Sequence, residues 1–300
     1  MAVVYEKEKN LFRLLTKNSE YQIKVDDIGL VIHNYYGRPA GNTDLSYRIL
    51  SVDRGFSGNP YETKEDRGRS VDVLPQEYSG SGVGDYRVSS IKVVAENGSQ
   101  SCDLRYASHE ILNEKPDILP LPSVRVYDDD VTTLKLTLED RVIGLEADLY
   151  YSVFYDKDVI TRRVSFRNVS DKNLKIEKAA SGMLDLQFGS WDEIHFSGRH
   201  CMERGVNRNK ITQDIKVIGS KRGMSSHHEN PFVIICDHGA NENSGDCYGL
   251  MLMYSGNHKF EIEKDQAGST RVVAGINDEY FSWCLEAGNV FDTPELIMAY

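Results

Sequence analysis

Alternating apolar and polar positions dominate the middle of the chain and predict β-strands. Residues 134–138, 142–150 and 159–166 are three successive runs with a period of two. This period is typical of strands that bury only one face. Polar, turn-forming residues at 155–158 and 168–173 follow the second and third runs and predict reversals of the chain. We therefore predict an antiparallel meander in this region.

The same alternation recurs elsewhere, and no window of comparable length has the 3.6-residue stripe of an amphipathic helix. Further strand-like runs lie at residues 21–25, 47–52, 91–94, 248–254, 260–263 and 271–274. Many short strands with few short helices predict an all-β fold, because stacked antiparallel sheets bury one face of each strand without crossover helices. The predicted architecture is a large antiparallel β-sandwich.

Two long segments lack this pattern. Residues 54–87 are rich in Gly, Ser, Pro, Asp and Arg, but they contain the apolar or aromatic anchors 74–78 and 85–86. Loops of this length in compact domains are commonly functional, so we expect an ordered, functional loop. Residues 198–230 form a second irregular, basic and histidine-containing segment. We find no internal repeat and no linker, and we expect residues 1–300 to form a single domain.

Charge and hydropathy narrow the range of partners. The 300-residue chain has 46 acidic and 35 basic side chains, a net charge of −11, which opposes binding to nucleic acid or anionic lipid. The longest apolar runs, 232–236 and 249–254, are far shorter than the roughly 20 residues that span a bilayer. We therefore expect neither a nucleic-acid partner nor a membrane partner.

Two features favour a cytoplasmic location. Charged residues within positions 1–10 interrupt the apolar segment that a secretory signal requires. The five cysteines are odd in number and scattered along the chain, which does not fit a disulfide framework. We expect free thiols in a reducing compartment.

Motif searches nominate no catalytic pair, metal site or cofactor site. With 46 acidic residues, some pair of carboxylates can be found anywhere, so their number identifies no glycosidase pair. The closest approach to a zinc ligand set, His and Cys residues within 227–247, matches no standard spacing. The glycines at 80–84 lack the full phosphate-loop pattern and indicate a turn. We expect no metal and no cofactor.

Several polar residues have both a functional and a structural interpretation. Asp53, at the start of the first irregular segment, is a candidate acceptor for the hydroxyls of a sugar, or it forms an ion pair with Arg54. Arg67 is a candidate donor to sugar oxygens, or a solvated charge. Near the second segment, His200 and Trp191 are candidates for sugar contact and stacking, although a buried Trp fits equally well.

Taken together, eight segments resemble the N-terminal domain of bacterial α-galactosidases of glycoside hydrolase family 36. They keep the family's order and cover nearly the whole chain. The segments are LSVDRGFS at 50–57, LPQEY at 74–78, GDYR at 84–87, DLRY at 103–106, ILPLP at 118–122, RGMSSHHENP at 222–231, YSGN at 254–257 and TPE at 293–295.

The resemblance implies a galactose-mutarotase-like β-supersandwich that precedes a (β/α)₈ catalytic barrel and a small C-terminal β-domain. This chain is expected to stop where the barrel would begin, with residues 293–300 as the last strand of the sandwich. In the family, two aspartates on barrel strands act as nucleophile and as general acid/base in a retaining mechanism. Both are expected to lie outside these 300 residues. The resemblance therefore implies an α-galactosidase whose catalytic residues are absent from this chain, and it names no catalytic residue here.

The resemblance also implies substrate-binding residues, because the family's tetramer brings loops of this domain over a galactose pocket. Asp53 matches a loop position that accepts hydrogen bonds from galactose hydroxyls. Arg67 matches a neighbouring position, although the preceding insert at 61–66 is longer here. His200 stands where many relatives have tryptophan, which weakens stacking at that position. The implied partners are a galactoside, the protein's own catalytic barrel and further copies of the chain.

Three functional hypotheses follow. The first is the N-terminal, oligomerisation and substrate-lid domain of an enzyme that acts on melibiose, raffinose and related galactosides. The second is a free-standing galactoside-binding β-sandwich without catalysis. The third, a mutarotase-like epimerase, needs a His and a carboxylate at the anomeric centre, and His195 with Glu193 is a weak candidate for that pair.

Overall fold

The computed structural model describes residues 2–53, 55, 58–63, 66–127 and 130–300. Its strands, in chain order, are β1 Val3–Glu6, β2 Leu11–Leu15, β3 Glu20–Val25, β4 Val31–Gly37, β5 Ile91–Val94, β6 Arg105–Leu112, β7 Val131–Asp140, β8 Leu145–Phe154, β9 Val159–Asn168, β10 Leu174–Leu186, β11 Trp191–Arg199, β12 Met202–Lys210, β13 Ile215–Gly219, β14 Glu229–Asp237, β15 Cys247–Met253, β16 His258–Lys264, β17 Thr270–Ile276, β18 Trp283–Leu285, β19 Val290–Asp292 and β20 Glu295–Ala299. The helices in this part of the chain are short 3₁₀ turns at Lys7–Lys9, Ser46–Arg48, Tyr61–Thr63 and Tyr155–Lys157.

The strands form three antiparallel sheets. The largest has ten strands in the order β12-β11-β14-β15-β20-β9-β8-β7-β6, with β19 paired to β9. A six-stranded sheet has the order β13-β16-β17-β10-β18, with β5 paired to β10, and a four-stranded sheet has the order β1-β2-β3-β4. This architecture confirms the prediction of an all-β antiparallel sandwich.

The predicted meander is the centre of the ten-stranded sheet. β7 pairs with β8 along their full lengths, and β8 pairs with β9, so that Leu149 faces Leu136 on one side and Val164 on the other. These side chains are buried, as their alternation predicted. The second run was placed slightly early, because residues 141–144 form the turn before β8. Gly144 has a φ of 68° there, in the left-handed region that favours glycine.

A large apolar cluster joins the three sheets. It includes Phe12 from the four-stranded sheet, Phe260 from the six-stranded sheet and Leu149 from the ten-stranded sheet, all almost fully buried. Met298 on β20, the last strand, belongs to the same cluster. The predicted strand near residues 293–300 is therefore present and packs into the core.

Two predictions of local structure were wrong. β12 and β13 run through the segment 198–230, which we expected to be irregular. Because β12 lies at a sheet edge with nearly every residue exposed, its sequence has no apolar alternation to reveal it. Residues 47–52 are not a strand either. A 3₁₀ turn occupies Ser46–Arg48, and Val52 forms only an isolated bridge.

The first irregular segment is anchored as predicted. No regular strand occurs in the described residues between 54 and 87, yet residues 70–80 are buried. Glu77 and Tyr78, within the predicted anchor, are 0% and 3% exposed. Arg54, Phe56 and Ser57 of the family-like segment at 50–57 lie outside the described residues. Among the helices that are described, none is long and apolar enough to cross a bilayer.

Candidate functional site

The loop that carries Asp53 is closed at its base by two contacts. Val52 and Arg69 form an isolated parallel bridge. Beside it, the hydroxyl of Ser51 donates to the carbonyl of Gly68 at 3.0 Å. These contacts bring the two ends of the loop together, so that residues that are distant in sequence emerge side by side.

Asp53 and Arg67 meet directly above this base. Nη2 of Arg67 lies 3.2 Å from Oδ1 of Asp53, and the side chains are 52% and 57% exposed. The backbone N–H of Gly55 donates to the same carboxylate oxygen at 2.7 Å, while Arg67 donates to the Gly55 carbonyl at 2.7 Å. Gly55 has a φ of 71°, which explains why a glycine stands at the turn. Arg54, the alternative ion-pair partner considered for Asp53, lies outside the described residues.

This arrangement leaves an acidic and a basic group facing solvent in fixed proximity. Exposed ion pairs contribute little to folding stability, so the fold loses little stability when a ligand separates the two groups. A carboxylate accepts hydrogen bonds from vicinal hydroxyls, and a guanidinium donates to hydroxyl oxygens through its planar fork. Asp53 and Arg67 together are therefore chemically suited to bind a polyhydroxylated ligand.

A cavity of about 290 Å³ lies next to the start of this loop. The backbone N–H of Leu50 donates to Oε1 of Gln187 at 3.1 Å, and Gln187 is part of the cavity wall. The aromatic side of the wall comprises Tyr35, Tyr36, Phe188, Trp191, Tyr248 and Tyr300. The sequence analysis did not predict this cavity, because its walls come from strands and turns that are far apart along the chain.

Charged groups complete the cavity wall. The guanidinium carbon of Arg48 lies 5.6 Å from the ring centre of Phe188 and 6.0 Å from that of Tyr35. Opposite, the hydroxyl of Tyr300 donates to Asp246 at 2.9 Å. Burial and this hydrogen bond raise the pKa of Tyr300 to about 12. The wall therefore offers ring faces together with hydrogen-bonding groups.

The structure separates Trp191 from His200. Trp191 begins β11 and is 8% exposed; its indole N–H donates to the Phe188 carbonyl at 3.0 Å, and its ring packs edge-on against Tyr248. His200 follows the other end of β11, in the exposed turn before β12. At roughly 3.3 Å per residue, nine strand positions separate them by about 25–30 Å. The two rings do not form one stacking surface, and the interpretation of Trp191 as a buried wall residue is confirmed.

His200 is also not joined to the acidic and basic pair. Within the described ranges, no hydrogen bond or ion pair links it to Asp53 or Arg67. Its position at a hairpin tip leaves the imidazole exposed to solvent or to another molecule. One chain by itself therefore brings together two of the three candidate residues.

His195 and Glu193, the weak epimerase candidates, do form a pair. Nδ1 of His195 lies 2.8 Å from Oε2 of Glu193, whose side chain is 1% exposed. However, the other carboxylate oxygen accepts from Asn209 at 2.7 Å and contacts the ammonium of Lys216. This carboxylate is held in place by three partners, which indicates a structural role. As for metals, no cluster of three or more His, Cys, Asp or Glu side chains suited to an ion occurs in the part of the chain that the structure describes.

Comparison with known proteins identifies the family to which this chain belongs. Residues 29–286 match the model of the glycosyl hydrolase family 36 N-terminal domain. The chain is 42% identical over 300 residues to the bifunctional alpha-galactosidase/sucrose kinase AgaSK of Mediterraneibacter gnavus, covering 100% of this chain and 32% of that protein.

Solved structures of alpha-galactosidases contain the same fold. The galactosidase domain of an alpha-galactosidase-sucrose kinase, AgaSK, superimposes with a TM-score of 0.97 at 41% identity, covering 99% of this chain and 41% of that one. A variant of the family 36 alpha-galactosidase AgaA from Geobacillus stearothermophilus, in complex with raffinose, gives a TM-score of 0.92 at 37% identity, covering 97% of this chain and 40% of that one.

The layered antiparallel sheets define the class of the chain as a large all-β sandwich domain. The chain belongs to the glycosyl hydrolase family 36 N-terminal domain family. It spans well under half the length of the relatives it matches.

Proposed function

We propose that this chain is the N-terminal part of an α-galactosidase that removes terminal α-linked galactose from oligosaccharides of the melibiose and raffinose type. Family membership supports this proposal, and so does the raffinose bound to a solved relative. Within that enzyme, the sandwich acts as a substrate lid and an oligomerisation domain. Residues 1–300 form one domain of that enzyme.

The chemistry in this proposal takes place outside the chain. A retaining glycosidase needs a nucleophile and a general acid/base about 5 Å apart, flanking the scissile bond. The carboxylates that supply them belong to the barrel, and no residue of this chain is assigned either role. The part of this chain is to position the sugar, which lowers the entropic cost of reaching the transition state.

The observation that carries the proposal is the exposed pair of Asp53 and Arg67. The carboxylate of Asp53 accepts hydrogen bonds from galactose hydroxyls, and the guanidinium of Arg67 holds that carboxylate in place at 3.2 Å while it donates to a sugar oxygen. His200 contacts the sugar from the tip between β11 and β12. Because no described contact joins it to the pair, we assign it to a pocket that is completed by a neighbouring copy.

Assembly into a homo-oligomer, a tetramer by analogy with the family, is part of the same proposal. β12 is the outer strand of the ten-stranded sheet, and its residues are almost all exposed. Such an edge has unpaired backbone groups that can meet a second chain. We also assign the enzyme to the cytoplasm, where reducing conditions suit its five free cysteines.

The test is the kinetics of Asp53→Ala in the complete enzyme acting on melibiose. Loss of a hydrogen bond to a charged group costs about 2–3 kcal/mol, which corresponds to a fall in kcat/KM of roughly 30- to 150-fold, with a raised KM. Asp66→Asn is the matched control, because Asp66 is an exposed carboxylate of the same loop, and its described contacts are with Arg69 and Gly68 of that loop. Equal kinetics for Asp53→Ala and the wild type, in correctly assembled protein, would remove Asp53 from the sugar site.

A second candidate function is favoured by the cavity beside the loop. Its ring faces, together with Arg48, Gln187 and Asp246, are the groups that carbohydrate-binding proteins use. If this cavity binds galactosides without the barrel, the chain is a binding module. The two functions differ in one respect that can be measured: only the binding module has affinity for sugar in isolation.

A further inference from the structure

Two of the five cysteines face each other across a pair of strands. Cys236 at the end of β14 is directly opposite Cys247 at the start of β15. The adjoining pair, Asp237 and Asp246, is a hydrogen-bonded one, because the N–H of Asp237 donates to the carbonyl of Asp246 at 2.9 Å. Hydrogen-bonded and non-hydrogen-bonded pairs alternate along antiparallel strands. The two cysteines therefore occupy a non-hydrogen-bonded position, where opposed side chains approach most closely.

The spacing at such a position is compatible with a disulfide. Opposed Cα atoms of a non-hydrogen-bonded pair are about 4.5 Å apart, and disulfides accept Cα separations of roughly 4.4–6.8 Å. Both side chains point to the same side of the sheet, because directly opposed residues share a face. The core side at this point is taken by the neighbouring pair of Ile235 and Tyr248, which is buried. The cysteines thus lie on the other face of the sheet, away from this core.

The two thiols differ in accessibility. Cys247 is exposed, whereas Cys236 is buried. Burial raises the pKa of Cys236, and the nearby Arg208 guanidinium opposes that rise while Asp192 and Asp237 add to it. An oxidant therefore reaches Cys247 first. Cys236, shielded from solvent but next to Cys247, is placed to attack the product.

We propose that Cys236 and Cys247 are a redox modification site that forms a reversible disulfide with hydrogen peroxide. The thiolate of Cys247 attacks one peroxide oxygen, the O–O bond breaks, and hydroxide leaves as Cys247 becomes a sulfenic acid. The thiolate of Cys236 then attacks that sulfur and displaces the second hydroxide. Two thiols and one peroxide give one disulfide and two waters, so the thiols are oxidised and the peroxide is reduced.

The other cysteines lack this arrangement. Cys284 on β18 is opposite Lys175, and Cys201 lies in the turn between β11 and β12, opposite no cysteine. Cys102 is fully buried in the core. Intramolecular oxidation is therefore selective for one pair. The ring that it closes contains Asp246, a wall residue of the aromatic cavity, so the disulfide would fix the rim of that cavity.

The experiment is oxidation of the purified chain with hydrogen peroxide, followed by alkylation of the remaining thiols, non-reducing digestion and mass spectrometry. We expect the loss of two thiols per chain, a mass lower by two hydrogen atoms, and a cross-linked peptide that joins Cys236 to Cys247. Dithiothreitol should restore both thiols. Cys247→Ser should abolish the cross-link, while Cys201→Ser, which removes another exposed cysteine, should leave it unchanged.

The proposal is overturned if Cys236 remains fully alkylatable on unfolding after Cys247 has been oxidised. It is equally overturned if Cys247 proceeds to a sulfinic acid, or if the disulfides formed link separate chains. Because Cys247 is exposed, its replacement by serine preserves the fold, which circular dichroism of the variant can verify.

Discussion

The buried carboxylate of Glu77 connects the loop region to the sandwich core. It is fully buried and lies 3.1 Å from the guanidinium of Arg162. It also accepts from the hydroxyl of Tyr151 at 2.7 Å and that of Tyr21 at 2.9 Å, and His33 Nδ1 lies 2.9 Å away. Burial by itself would raise the pKa of Glu77, but Arg162 and His33 outweigh it and hold the pKa below its usual range. Glu77 is therefore ionised within the core.

Removal of the Arg162 guanidinium should lower the free energy of unfolding substantially. Arg162→Met leaves an ionised carboxylate buried without its partner, and such changes typically cost about 3–5 kcal/mol. The check is the free energy of unfolding from urea titration. Arg38→Met is the matched control, because Arg38 is 82% exposed and should change stability by less than about 0.5 kcal/mol. Similar losses for the two variants would contradict the role given to Glu77.

The same carboxylate makes stability depend on pH. Its pKa in the folded chain is below the ordinary value of 4.5, so the folded state favours the ionised form. The stabilisation is complete above pH 4.5 and is lost as the pH falls through the folded pKa. We expect the urea midpoint of the wild type to fall more steeply below pH 4.5 than that of Glu77→Gln, measured on both proteins across the same pH series. Parallel curves would show that Glu77 does not supply this dependence.

At the scale of elements, the hairpin of β11 and β12 positions His200. Gly198 lies just before its tip, and a Cβ at this position would stand 2.2 Å from the carbonyl oxygen of Met202. Since that atom belongs to the opposing backbone, the strands must separate to accept a side chain. The glycine therefore sets the close approach of the two strands at the tip.

Gly198→Ala should open this tip without unfolding the core. We expect faster amide hydrogen exchange at residues 199–202, by at least about tenfold if the local opening free energy falls by about 1.4 kcal/mol or more, with exchange in β8 unchanged. Gly239→Ala is the control, because nothing lies within 4 Å of its added Cβ. Unaltered exchange at the tip of Gly198→Ala would show that the hairpin accommodates the methyl group.

Which elements the sequence reveals depends on their burial. β7, β8 and β9 were predicted because one face of each packs into the core and leaves an alternating pattern. β12 is exposed on both faces, so it has no such pattern. The sequence pattern wrongly predicted a strand at 47–52, because periodicity alone does not identify the structure of a short apolar run.

The candidate site was likewise predicted only in part. The chemistry of Asp53 and Arg67 left a structural interpretation open, and the resemblance pointed to sugar contact. Their mutual contact depends on the bridge of Val52 with Arg69, a pairing across the loop that no local propensity specifies. The aromatic cavity could not be foreseen, because it joins residues of β4, the turn after β10 and β15 with Tyr300, which follows β20. Such long-range juxtapositions are products of tertiary packing.

On the scale of the whole molecule, the proposed role of the sandwich is to position substrate for a catalytic centre that lies elsewhere in the enzyme. We therefore expect the purified chain to leave an aryl α-galactoside unhydrolysed, because the carboxylates of the proposed reaction belong to the barrel. Release of the aryl alcohol, monitored by absorbance, is the measurement, with the complete enzyme as the positive control. Turnover that follows the purified chain and disappears in Asp53→Ala would place catalysis within these 300 residues.

The most direct test of the proposed function is calorimetric titration of the purified chain with melibiose. We expect no saturable heat, because the proposed pocket that includes Asp53 and Arg67 also needs the barrel and a neighbouring copy. Saturable binding that is lost in Asp53→Ala and retained in Asp66→Asn would contradict it. That result would show that the sandwich has a sugar site of its own and would make the chain a binding module.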